Sequence, residues 1–118
     1  MSSRIAVLAS GGGSNLQALL DHLAALGAAA PGAVVLVASD QPQALALERA
    51  RRAGIEAVAM DRATRTDAML ALLRDRHIDL VVLAGYMRLV PAAVTTAFRG
   101  RIVNVHPALL PAFGGKGM

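Results

Sequence analysis

Five short runs, Ile5–Ala9, Ala33–Ala38, Glu56–Ala59, Leu80–Ala84 and Ile102–Val105, alternate along the chain with stretches whose apolar residues recur at helical spacing. This alternation limits the fold more than any other feature. A run of about five aliphatic residues suits a buried strand, while a longer stretch with a 3- and 4-residue repeat suits an amphipathic helix. The repeat is clearest in Ser14–Leu26, through Leu16, Leu19, Leu20, Leu23 and Leu26. Ser14 and Gln17 have the spacing of a capping box at its start, and Gly27 stands at its end. A second helix is expected to open near Pro42 and close at Gly54. A third should span Thr66–Arg76 with Met69, Leu70, Leu72 and Leu73 inward, and a short fourth Pro91–Phe98.

The resulting order, βαβαβαβαβ, implies an α/β protein with a parallel sheet covered by helices on both faces. Right-handed crossovers favour a Rossmann-like doubly wound sheet of strand order 3-2-1-4-5, with the direction of winding reversing between strands 1 and 4. Ligands in such sheets bind at the carboxyl ends of the strands beside the reversal. Three segments are expected to converge there: Gly11–Asn15, Gly85–Arg88 and Asn104–His106.

The 118 residues suffice for one domain, 1–118, with its own core. Apolar residues make up 55% and aromatic residues only 3%, so that core must be built from Ala, Val, Leu and Ile. The net charge of +4 comes almost wholly from dispersed arginines, Lys116 being the only lysine. Without a basic run or interleaved aromatics this argues against nucleic acid and suits an anionic small molecule. The chain has no cysteine, hence no disulfide or thiolate metal site, and its three histidines are too dispersed for a metal centre. Ile5–Ala9 is too short for a signal-peptide core or a membrane span, so a cytoplasmic location is expected.

Asn104 and His106 lie two apart at the end of the fifth strand, so they share a face, and Pro107 stops the strand beyond them. An amide donor beside an imidazole suits a reaction in which a carbonyl oxygen gains charge while an attacking group loses a proton. A strand-end histidine bonded to backbone is the plainer reading. The loop Ser10–Asn15 offers Gly11, Gly12, Gly13, Ser14 and Asn15 as a phosphate site, since glycines admit close approach and a helix start presents free N–H groups. A simple capped turn would need fewer glycines. A nicotinamide site is the rival: Asp40 stands near the position of a ribose-binding acid, but Leu16 occupies the place of the third glycine. Asp40 could equally cap the helix after strand 2. Tyr86 and Met87 could line a heterocycle site or cover the core, and core cover is the reading favoured from residue type. Arg49, Arg51 and Arg52 are expected on a solvated helix face, and His22 and His77 at the surface.

The runs Ile5–Leu20, Asp79–Leu89 and Asn104–Pro111, which contain Ser10-Gly11-Gly12-Gly13-Ser14-Asn15, Gly85-Tyr86-Met87-Arg88-Leu89 and Asn104-Val105-His106-Pro107, closely resemble phosphoribosylglycinamide formyltransferases. The resemblance runs in order over nearly the whole chain. It implies that Gly12, Gly13, Ser14 and Asn15 hold the phosphate of glycinamide ribonucleotide. It implies that Met87, Arg88, Leu89 and Val90 line the pocket for 10-formyltetrahydrofolate, the co-substrate, with Arg65 toward its glutamate tail. Asn104 would donate to the tetrahedral oxyanion, and His106 would stabilise it or shuttle a proton. No carboxylate here matches the family's catalytic aspartate, so the chain is expected to be the amino-terminal half of such an enzyme and inactive alone. Strand 5 would then be an open edge, and self-association is expected through it. Another formyl-folate enzyme, or a phosphate-binding module without chemistry, stands as the alternative.

Overall fold

The computed structural model describes residues 3–11, 13–60, 66–86 and 90–105. In chain order these form β1 (Ser3–Ala9), α1 (Ser14–Leu26), a 3₁₀ turn (Gly27–Ala29), β2 (Gly32–Ser39), α2 (Leu45–Arg52), β3 (Glu56–Ala59), α3 (Thr66–Asp75), β4 (Leu80–Ala84), α4 (Ala92–Ala97) and β5 (Ile102–Val105). The five strands make one parallel sheet in the order β3-β2-β1-β4-β5. This is the doubly wound arrangement expected from the alternation of strands and helices.

β1 is the central strand, and Ile5 through Ala9 are all buried. Its side chains divide between two cores. Ile5, Val7 and Ala9 point toward α1 and α2, where they meet Leu16, Ala46, Leu47 and Ala50. Ala6 and Leu8 point toward α3 and α4, among Met69, Leu73, Val94 and Phe98. A strand covered on both faces must be apolar at every position, which accounts for the unbroken run in the sequence. Val35 forms a bulge in β2: Ile5 pairs with Val34, but the next residue, Ala6, pairs with Leu36.

Two helix starts differ from the sequence-based expectation. The residue capping α1 is Gly13, not Ser14, and no side chain caps the helix, so the Ser14–Gln17 capping box does not form. Helix α2 starts at Leu45, three residues beyond Pro42. The chain first makes a turn in which the Ala44 N–H donates to the Gln41 carbonyl at 3.0 Å. Pro42 takes the second position of that turn, where its fixed φ fits. Ala44, not Asp40, is the N-cap of α2. Among the described residues no helix is long and apolar enough to cross a membrane.

Candidate active site at the carboxyl ends of the strands

The loop after β1 is held in a particular shape by the packing behind it. Gly13 has φ 84° and ψ 18°, a left-handed conformation natural to glycine, and turns the chain directly into α1. A Cβ on Gly13 would lie 2.7 Å from the Ala46 Cα and 3.0 Å from the Arg49 Cδ, so α2 packs against bare backbone here. The Ala46 N–H also donates to the Gly11 carbonyl at 3.3 Å. The first turn of α2 thus backs the loop. On its open side Gly11 and Ser14 are exposed and Asn15 is half-buried. No side chain at the N-cap position competes for the first N–H groups of α1, and a helix start presents such groups to an anion.

Two strands away lies Asn104. It pairs in register with Leu83 of β4, and Leu83 pairs with Leu8 of β1. At the usual strand spacing this places Asn104 roughly 10 Å across the sheet from β1. It is exposed, on the sheet face it shares with Leu83, toward α3 and α4. Between the two, β4 ends at Gly85, exposed and with φ 75°. Loop and amide therefore flank the end of β4, beside the reversal in strand order.

The other candidates divide. Tyr86 is half-buried against the α3/α4 core, as is Val90, so Tyr86 covers the end of that core, as its residue type favoured. Gly12, Arg65, Met87, Arg88, Leu89 and His106 lie outside the described residues. Leu16, at the place of the third glycine of a dinucleotide fold, is wholly buried in the α1/α2 core. A leucine side chain thus separates α1 from the sheet where that fold brings backbone to backbone. His22 and His77 are exposed, and so are Arg51 and Arg52.

Arg49 departs from the expected solvated face. It is half-buried, its stem lies against Gly13, and its Nη1 donates to Gln17 Oε1 on α1 at 3.2 Å. Residue type and helical position gave no sign of this, because the contact joins residues 32 apart in sequence. The small residues Ala44 and Ala46, close before it in sequence, were the available hint of a close neighbour.

The clearest electrostatic pair sits at the other end of the strands. Arg76 grips Glu56 at the start of β3, Nε to Oε1 at 2.8 Å and Nη2 to Oε2 at 2.5 Å. This hydrogen bonding, aided by the guanidinium charge and opposed by slight desolvation, holds the Glu56 carboxyl below the usual carboxylate range. Arg4 joins the cluster, donating from Nε to the Arg76 carbonyl and from its backbone N–H to Asp79 Oδ2, both at 2.8 Å. This cluster lies at the amino ends of the strands, away from the glycine loop and Asn104.

The profile of the formyl transferase family matches residues 3–118. The chain belongs to the formyl transferase family. It is 39% identical over 118 residues to phosphoribosylglycinamide formyltransferase of Bacillus subtilis (strain 168), covering 95% of this chain and 60% of that protein. It is 45% identical over 118 residues to the trifunctional purine biosynthetic protein adenosine-3 of Drosophila melanogaster, covering 95% of this chain and 9% of that protein. Among solved structures, glycinamide ribonucleotide transformylase 1 from Symbiobacterium toebii superposes with a TM-score of 0.82 at 49% identity, covering 97% of this chain and 56% of that one. The chain therefore spans less than two thirds of the length of each of these family members.

Proposed function

We propose that this chain carries the phosphate site and part of the catalytic centre for formyl transfer to glycinamide ribonucleotide in purine synthesis, in the cytoplasm. The observation that carries the reading is the placement of the glycine loop and Asn104 on either side of β4, at the carboxyl ends of the strands. The loop Gly11–Asn15 takes the substrate phosphate through backbone N–H groups at the start of α1. The ribose and glycinamide then extend across the end of β4 toward Asn104, a span of roughly two strand spacings.

In the reaction the substrate amine attacks the formyl carbon of 10-formyltetrahydrofolate, and the formyl oxygen becomes an oxyanion. Collapse of the tetrahedral adduct breaks the bond to the folate nitrogen, and the proton lost by the amine ends on that leaving nitrogen. Asn104 donates from its side-chain amide to the oxyanion, where a positioned donor stabilises developing charge. His106 stabilises the adduct or carries the proton. The folate pocket falls to Met87, Arg88, Leu89 and Val90, with Arg65 toward the glutamate tail, on the strength of the family resemblance.

Calorimetric titration with glycinamide ribonucleotide tests the substrate site. Ser14 is the first residue of α1, a position where helices accept proline, so Ser14→Pro removes one N–H and disfavours the ψ of Gly13 before it, disrupting the loop while the helix can still form. Saturable binding by the wild type that is lost in a variant of unchanged helix content is the expected result. No binding by a folded wild type would overturn the reading.

A further inference from the structure

We infer that Arg49 is a positioning residue for the phosphate loop, setting the backbone shape that lets the loop receive an anion. The inference rests on the phosphate reading of Gly11–Asn15. Arg49 lies on α2, yet its two ends engage both sides of the loop-to-helix junction. Its Cδ stands 3.0 Å from where a Gly13 Cβ would be, so the aliphatic stem closes the space behind Gly13. Its guanidinium donates to Gln17 Oε1 at 3.2 Å, while the Gln17 Nε2 donates to Asp21 Oδ1 at 3.0 Å. The backbone N–H of the same Gln17 donates at 2.8 Å to the Gly13 carbonyl, the bond that closes the first turn of α1. One side chain therefore braces the glycine from behind and holds the residue that fixes its carbonyl.

The consequence is directional. The peptide planes on either side of Gly13 set the aim of the Gly13 and Ser14 N–H groups. With the Arg49 side chain absent, Gly13 keeps the Ala46 backbone behind it but loses its second wall, and Gln17 loses the Arg49 partner, so the loop relaxes and those donors turn away from a common point. An anion site made of backbone donors depends on such aim, since misplacement by about 1 Å can cost a large factor in a positioned interaction. The rest of the ligand does not depend on it.

Two ligands separate this role from general support of the fold: glycinamide ribonucleotide and its unphosphorylated riboside. In the wild type the phosphorylated ligand should bind more tightly. Arg49→Ala should reduce that preference at least about tenfold, equivalent to about 1.4 kcal/mol, with riboside binding unchanged. Arg49→Lys, which keeps a stem of similar reach, should restore most of the preference. Arg49→Ala with the wild-type preference would overturn the inference, as would equal weakening of both ligands. A wild type that does not distinguish the two ligands would instead overturn the phosphate reading, and the role of Arg49 with it.

Discussion

Gly13 and Ala46 meet so closely that a methyl group on the glycine would lie 2.7 Å from the Ala46 Cα, well inside van der Waals contact. A backbone-to-backbone approach of this kind ties the loop after β1 to the start of α2. Gly11 is different: it is exposed, and nothing stands within 4 Å of its missing Cβ. Gly13→Ala is therefore expected to lower stability by about 1–3 kcal/mol, from overpacking and an unfavourable φ. Gly11→Ala should stay within about 0.5 kcal/mol of wild type. Urea unfolding of the two variants checks the contrast, and equal effects would refute it.

Leu16 joins α1 to the sheet from a wholly buried position. Leu16→Ala should destabilise by about 2–5 kcal/mol, read from the thermal or urea midpoint. The same leucine stands where nicotinamide folds need a glycine, and fluorescence titration with NADH should show no saturable binding. Binding of NADH with a change at Leu16 would contradict the packing argument.

The strands were legible because burial on two faces leaves no position for a polar residue, as Ile5–Ala9 and Leu80–Ala84 show. The observed strand order is the one that right-handed crossovers favoured for this alternation of strands and helices. The helix starts were less legible. Ser14 and Gln17 match a local capping pattern, but Gly13 takes the cap position and the Gln17 side chain is engaged by Arg49 and Asp21. The partner that decides this lies on another helix, beyond the reach of local pattern. The cap of α2 is Ala44, whose side chain carries no capping group to read. Loop and amide could be assigned to one end of the sheet from topology, whereas the role of Arg49 required the packing itself.

The Glu56–Arg76 pair gives a pH dependence of definite sign. Because the folded carboxyl titrates below its ordinary range, its contribution is complete above that range and is lost as pH falls through it toward the lower folded value. Both groups are partly exposed, so at neutral pH Glu56→Gln should cost no more than about 1 kcal/mol. Urea midpoints of variant and wild type should differ at pH 7 and converge in acid, once the pH falls below the lowered folded value. A gap that persists or widens in acid would contradict the assignment.

Asn104 is exposed at the end of β5 and contributes little to packing. On the proposed mechanism, in a full-length enzyme that contains this segment, Asn104→Ala should lower kcat for formyl transfer by about 100- to 1000-fold, as for loss of an oxyanion donor. The unfolding midpoint should not move. Steady-state rates with glycinamide ribonucleotide and formyl folate, alongside thermal melts, separate chemistry from stability. An unchanged kcat would remove Asn104 from the reacting centre.

One of the two edge strands of the described sheet is β5, where Val103 is 46% exposed. Its register partner Val82 belongs to the α1/α2 core, so the exposed valine extends that apolar face. Self-association through this strand is expected, seen as a scattering mass that rises with concentration. Val103→Lys places a charge at the edge and should shift the protein toward monomer. A wild type that stays monomeric at high concentration would rule the association out.

We propose that a phosphate is held by backbone N–H groups of the loop after β1, with the substrate reaching across β4 to Asn104. An amide-resolved NMR titration with glycinamide ribonucleotide reads this placement residue by residue. The largest shifts are expected at the amides of Gly11, Gly13, Ser14 and Asn15, with a further change at the Asn104 side-chain NH₂. Saturable binding that leaves these signals in place and moves others would contradict it.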